Sequence, residues 1–145
     1  MPTLPGRSWN PRSAGVPPRV SDADHVIWLM WQDELLGGAI ATYWDVGLGP
    51  GEPIPPGTDE ALARMWTRNT QERADIIIEH HSHVVICELR HRAETNAIGR
   101  LLGYAMLYDE DRIHAKPARL TLATDRRKYV AERLAQRYGI TYLAP

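Results

Sequence analysis

Asp75 and Glu88 each sit within an apolar stretch, at 74–79 and 84–89, and Arg90 follows Glu88 two positions later. Side chains two apart on a strand share a face. Asp75 is therefore expected to face with Ile77 and Glu79, and Glu88 with Val84, Ile86 and Arg90. If the two stretches pair as a hairpin, both carboxylates lie side by side next to a cation. Paired carboxylates suit a hard divalent cation such as Mg²⁺ or Mn²⁺. A cation held there activates water and stabilises the charge that builds up during phosphodiester hydrolysis.

The elements that must position these residues follow from pattern. The two apolar stretches are short and rich in β-branched residues, and His80-His81-Ser82-His83 separates them. They read as paired, buried strands. Residues 94–109 read as a helix with Ile98, Leu101, Leu102 and Ala105 on one face and Ala97, Tyr104 and Tyr108 beside it. A strand after Pro117 carries Leu120, Leu122 and Ala123, and residues 140–143 form a short last strand. Between them Asp125 is expected to cap a helix over 126–138, with Val130 and Leu134 facing inward.

Upstream, Ser21 with Asp24 resembles a capping box, and Asp22 adds a first-turn acid. The helix they open would face inward with Val26, Ile27, Leu29, Met30 and Leu36 and stop at Gly37-Gly38. Residues 25–31 also read as a buried strand, and the caps favour helix. Residues 40–46 alternate as a strand, and 47–57 form a Gly/Pro loop. Thr58 is the expected N-cap of a helix through Ala61, Leu62, Met65 and Trp66. Strands interspersed with helices give an α/β domain over 21–145, a mixed central β-sheet flanked by helices. Residues 1–20, with five prolines, read as an extended arm.

Residues 73–78 (RADIII), 84–90 (VVICELR) and 97–104 (AIGRLLGY) together resemble the PD-(D/E)xK nuclease-like superfamily. The resemblance covers about residues 73–143. It implies a nuclease-like core in which Asp75 and Glu88 bind Mg²⁺ or Mn²⁺ and catalyse DNA phosphodiester hydrolysis. Tyr104 matches the tyrosine of the Gln-x-x-x-Tyr that helps some branches place DNA. The chain is also similar to small proteins of this type from tailed bacteriophages. Two positions depart from the pattern: Arg90 stands at the catalytic lysine and Arg100 at the helix glutamine. Arg90 can stabilise phosphate charge, but a guanidinium does not give up its proton as a lysine can. An early-helix acid, as many relatives have, is expected at Glu34 or Glu60.

Other clusters carry weaker chemistry. Arg126, Arg127 and Lys128 at the start of the last helix are candidate phosphate contacts, with the helix amides in support. His80, His81 and His83 read as a solvated turn more readily than as a metal site. Cys87, the only cysteine, reads as a buried small apolar residue and excludes an internal disulfide. Trp28, Trp31, Trp44 and Trp66 read as core or subunit interface.

The formal net charge of −1 hides blocks of opposite sign. Residues 20–80 hold 11 acids and 3 bases, whereas residues 112–137 hold 8 bases and 2 acids. The basic block and the cationic arm are fit to meet an anionic partner. No apolar run approaches the ~18 residues of a membrane span. The N-terminus lacks a secretory pattern, so the expected location is the cytoplasm or a virus particle assembled there. Expected partners are DNA, and a protein or second copy meeting the arm and the Trp-rich half. The functional expectation is a metal-dependent DNA nuclease. Its alternative is an inactive nuclease-fold subunit of an assembly such as a phage head–tail region or DNA-packaging complex.

Overall fold

Strand register, more than any single helix, positions the acids. The computed structural model describes residues 4, 10–111 and 116–145. Most of the arm before residue 10, with Pro2, Pro5 and Arg7, lies outside the described residues, as do Arg112 and His114 of the basic block. The elements run α1 (Asp22–Leu36), β1 (Ala41–Leu48), α2 (Glu60–Thr70), β2 (Glu72–Glu79), β3 (Val84–Arg90), α3 (Thr95–Glu110), β4 (Ala118–Thr124), α4 (Tyr129–Arg137) and β5 (Thr141–Leu143). The five strands form one mixed sheet in chain order. β1, β2 and β3 pair antiparallel, and β3, β4 and β5 pair parallel. The chain is thus an α/β protein with a mixed sheet flanked by helices.

Two apolar layers cover the sheet. Ile27, Trp28 and Leu35 of α1 pack on Ile76, Ile78, Cys87, Leu89 and Ala123. On the other layer Ala97, Ile98, Leu101, Tyr104 and Tyr108 of α3 pack with Tyr43, Ile77, Ile86 and Leu122. Leu102 and Ala105, expected on the α3 core face, lie at its margin and are half-buried. Trp31 Nε1 donates to Thr124 O at 2.9 Å, tying α1 across the sheet to β4. Trp28 is fully buried and meets Trp44 edge-on at 4.9 Å.

Several expected faces are corrected. Val26, Leu29 and Met30 of α1 are exposed, because the helix docks through the neighbouring stripe of Ile27, Trp28, Trp31 and Leu35. α2 buries no residue, and Leu62, Met65 and Trp66 face out. Its N-cap is Asp59, whose carboxylate accepts Leu62 N at 2.9 Å; Thr58 instead donates to Pro55 O. α4 begins at Tyr129, three residues later than expected, and docks through Ala131 and Ala135 while Val130 is exposed. Asp125 does not cap it, because its carboxylate is engaged across the β3–α3 turn, at Arg92 N (3.0 Å) and His91 Nδ1 (2.5 Å).

The arm is not wholly detached. Arg12 and Thr42 exchange backbone hydrogen bonds, Arg12 N to Thr42 O at 2.8 Å and Thr42 N to Arg12 O at 3.3 Å. Arg12 thereby covers part of the β1 edge, which would otherwise be open to pairing. At one end of the sheet a buried ion pair joins Glu79 to Lys116 at 2.5 Å, and Tyr43 donates to the same carboxylate at 2.8 Å.

Candidate functional site

The β2–β3 ladder ends at Ile76 paired with Cys87, so the next row brings Asp75 opposite Glu88. In the β1–β2 ladder the same row places Asp45 opposite Asp75, between the pairs Trp44–Ile76 and Val46–Ala74. Three acids therefore cross three adjacent strands in one row. The row is also where the sheet changes face. Tyr43 and Ile77 serve the α3-side core, but one step beyond the row Val46 and Ala74 do so. Asp45 lies in the left-handed region at φ 53°, and this kink accounts for the switch.

At this kink Asp75 leaves the strict alternation that would face it with Ile77, and it stays within charge range of Glu88, Arg90 and Arg100. Its carboxylate lines a cleft of about 220 Å³ on the α1 side with Arg19, Ser21, Asp24, Trp44, Asp45 and Leu89. Asp75 Oδ2 accepts the Leu89 amide at 2.8 Å, just beyond the end of the β2–β3 ladder. Burial pushes the Asp75 carboxyl up to about 6; the Leu89 amide opposes this, Asp24 adds to it, and Arg90 and Arg100 oppose it.

Glu88 is held from the other layer. Its carboxylate is 3% exposed, which leaves the charge almost wholly desolvated. Arg90 Nη2 stands 3.5 Å from Glu88 Oε1 and Arg100 Nε stands 3.6 Å from it. These are charge contacts longer than a good N–H···O bond. Glu88 Oε2 and Arg90 Nε are buried and have no hydrogen-bond partner among the described residues. Burial and then the Asp75 charge push Glu88 up to about 7, against Arg100, Arg90 and the Tyr104 hydroxyl. Arg100 Nε also donates to Tyr104 OH at 3.3 Å, and Tyr104 is 1% exposed. Tyr104 is thus a core residue whose hydroxyl borders the site.

The early-helix acid beside Asp75 is Asp24, in the first turn of α1. Its main chain is engaged by the Ser21 cap, Asp24 N to Ser21 Oγ at 3.2 Å, which is why sequence reasoning spent it on capping. Glu34 instead lines a cleft with His80 and His83, and Glu60 pairs with Arg64 along α2. Asp45 is engaged by Arg73 at 2.8 Å.

The remaining candidates lie elsewhere. Arg127 pairs with Glu132 and donates to Ala144 O at 3.0 Å, and Lys128 pairs with Glu94 at 2.6 Å. Arg126 is exposed on the same turn. His80 and His83 stack at 4.6 Å and 6°, closing the β2–β3 turn through His80 N to His83 O. His91, beyond the opposite end of β3, bonds to Asp125. Cys87 is fully buried, and burial raises its thiol well above the ordinary range. Among the described residues, no group of three or more His, Cys, Asp or Glu side chains is disposed to hold a metal ion. No helix among them is long and apolar enough to cross a membrane.

The arrangement offers two mutually repelling carboxylates, one orphaned oxygen and two flanking guanidinium groups. It can accept a proton or a hard cation on the acids and a phosphate on the arginines. Comparison with protein-family models, curated proteins and solved structures returned no match to this chain.

Proposed function

We propose that the chain is a DNA-associated protein of the PD-(D/E)xK type and that Asp75 and Glu88 together hold Mg²⁺ or Mn²⁺ for phosphodiester hydrolysis. The observation that carries this reading is the buried Glu88 Oε2, without a hydrogen-bond partner among the described residues, one strand away from Asp75. An orphaned carboxylate oxygen in a dry site costs free energy, and the cost rises when a second carboxylate repels it. A divalent cation would relieve both terms, so the residues fit the group. When bound, it would supply an activated water and charge neutralisation.

The chain's own residues divide the remaining work. Asp75, fixed by the Leu89 amide, presents one carboxylate oxygen from β2. Glu88 supplies the second from β3. Arg90 and Arg100 offer guanidinium donors to the phosphate undergoing attack. Tyr104 steadies Arg100 through its hydroxyl. Asp24 adds negative charge on the α1 side, which strengthens cation binding at Asp75. Cleavage of DNA that requires Mg²⁺ or Mn²⁺ and disappears in Glu88→Ala supports this reading. No cleavage, with no metal heat by calorimetry, overturns it.

A second reading is favoured by one specific observation: both arginines already stand at Glu88 Oε1, and neither can act as a base. On this reading the site is a self-neutralised relic, and the chain is a structural subunit of a larger assembly such as a phage virion or packaging complex. The exposed apolar residues of α1 and α2 suit such packing. Light scattering and cross-linking that find only a dilute monomer would count against it.

A further inference from the structure

We infer that a second cleft, between the β3–α3 and β4–α4 turns, binds a phosphate group through Arg92 and Arg126, and that a nucleic-acid strand is the source of that phosphate. The choice of source rests on the DNA-associated reading above; the anion site does not.

The position comes first. β3 and β4 are parallel neighbours ending at Arg90 and Thr124, and α3 and α4 start just beyond them. Open α/β sheets bind ligands in the crevice beyond the carboxyl ends of such strands. Here that crevice has a volume of about 470 Å³, and its lining includes Arg92, Glu94, Arg126, Arg127, Lys128 and Tyr129.

The charges are unevenly committed. Lys128 is neutralised by Glu94 at 2.6 Å, and Arg127 by Glu132 and the Ala144 carbonyl. Arg92 and Arg126 have no side-chain hydrogen bond or ion pair among the described residues, although both are exposed at the cleft. Their backbones, in contrast, are pinned. Asp125 Oδ1 accepts Arg92 N at 3.0 Å, and Thr124 Oγ1 accepts Ala93 N at 3.2 Å and Arg126 N at 3.4 Å. Arg92 is held in the left-handed region at φ 49°, a conformation that a non-glycine residue adopts at a cost. The two turns are thus locked to each other while their guanidinium groups stay uncommitted. That is the arrangement expected of preorganised donors for an oxyanion, and guanidinium matches phosphate geometry by paired N–H bonds.

The lip of the cleft favours a nucleic-acid strand over free phosphate. Tyr129 is 68% exposed there, a flat ring beside a phosphate site. Exposed aromatic rings next to cations are what single strands stack on. The cleft also lies at the end of β3 that carries Glu88 and Arg90, so one strand can reach both places.

The test is fluorescence anisotropy with a labelled short single-stranded DNA, in EDTA, across a salt series. EDTA removes any contribution from a metal at Asp75 and Glu88. Arg92→Ala with Arg126→Ala is expected to weaken binding by roughly tenfold or more and to flatten the log–log salt slope by about 0.7, one phosphate contact on a single strand. Tyr129→Ala also weakens binding. Unchanged melting of the double variant shows that it is folded. Inorganic phosphate supplies the second arm. If the wild type ignores DNA but is thermally stabilised by phosphate, and the double variant is not, the anion site stands and the nucleic-acid source falls. If the double variant matches the wild type in both arms, or the wild type responds to neither probe, the inference is overturned.

Discussion

Arg90 Nη2 stands 3.5 Å from Glu88 Oε1, two residues along the same strand, and the other Glu88 oxygen has no hydrogen-bond partner among the described residues. The pair is therefore half made. Its cation is a guanidinium, which offers charge without a transferable proton. Arg90→Lys places a group there whose pKa can fall on burial and which can take part in proton transfer. The expected outcome is a gain in Mg²⁺-dependent DNA cleavage on the order of 10²-fold, the scale of positioned acid–base catalysis. Nicking of supercoiled plasmid measures it. No gain in Arg90→Lys, in a protein that still binds Mg²⁺, would disfavour the nuclease reading.

The two acids make stability depend on pH in a stated direction. Burial raises Asp75 to about 6 and Glu88 to about 7, from unfolded values near 4. Between those values the folded chain holds more protons than the unfolded chain, so stability falls as pH rises. The contribution is fully present below the unfolded values and is lost as pH climbs through about 6 and 7. Glu88→Gln removes the penalty. Its melting temperature should exceed that of the wild type by about 5 °C at pH 8 and converge on it below about pH 4. Differential scanning calorimetry at both pH values checks the sign.

Millimolar Mg²⁺ should offset the same penalty. At pH 8 the wild type is expected to melt a few degrees higher with Mg²⁺ than with EDTA, because a ligand bound only by the folded state stabilises it. Glu88→Gln and Asp75→Asn should each lose that increment. A Mg²⁺ effect of equal size in all three proteins would place the ion elsewhere.

Glu79 and Lys116 form the one ion pair among the described residues in which the carboxylate side chain is fully buried. Lys116→Ala takes this cation away from the buried carboxylate, to which Tyr43 still donates. The expected cost is about 3–5 kcal/mol. Lys116→Met with Glu79→Gln removes both charges and should recover most of it. Urea denaturation of the two variants measures the difference.

The hairpin of β2 and β3 was legible because its residues leave little choice: two β-branched runs and a polar turn define both the pairing and its register. The α1 face was not. Val26, Leu29 and Met30 form one apolar stripe of the helix, and Ile27, Trp31 and Leu35 form another; helical period alone does not say which docks. Asp24 escaped because an acid in a first turn already has a local explanation. The face of Asp75 was misjudged for a different reason. Strand alternation assumes an unbroken pleat, and the left-handed Asp45 on the neighbouring strand breaks it. Asp125 looked like a cap because it precedes a helical pattern; in the fold its carboxylate serves a turn 33 residues upstream.

The excursion between β1 and β2 can be separated from the architecture it interrupts. Leu48 pairs directly with Glu72, and Gln71 Nε2 closes the base of the excursion on Gly49 O at 2.6 Å. Within it α2 buries no residue. The sheet is therefore complete at Leu48 and Glu72, and residues 49–71 are a module hung on a finished hairpin. A tight turn in their place should leave a folded protein. Substitutions at Leu62, Met65 and Trp66 should therefore be felt through what α2 shows to its surroundings and not through the core.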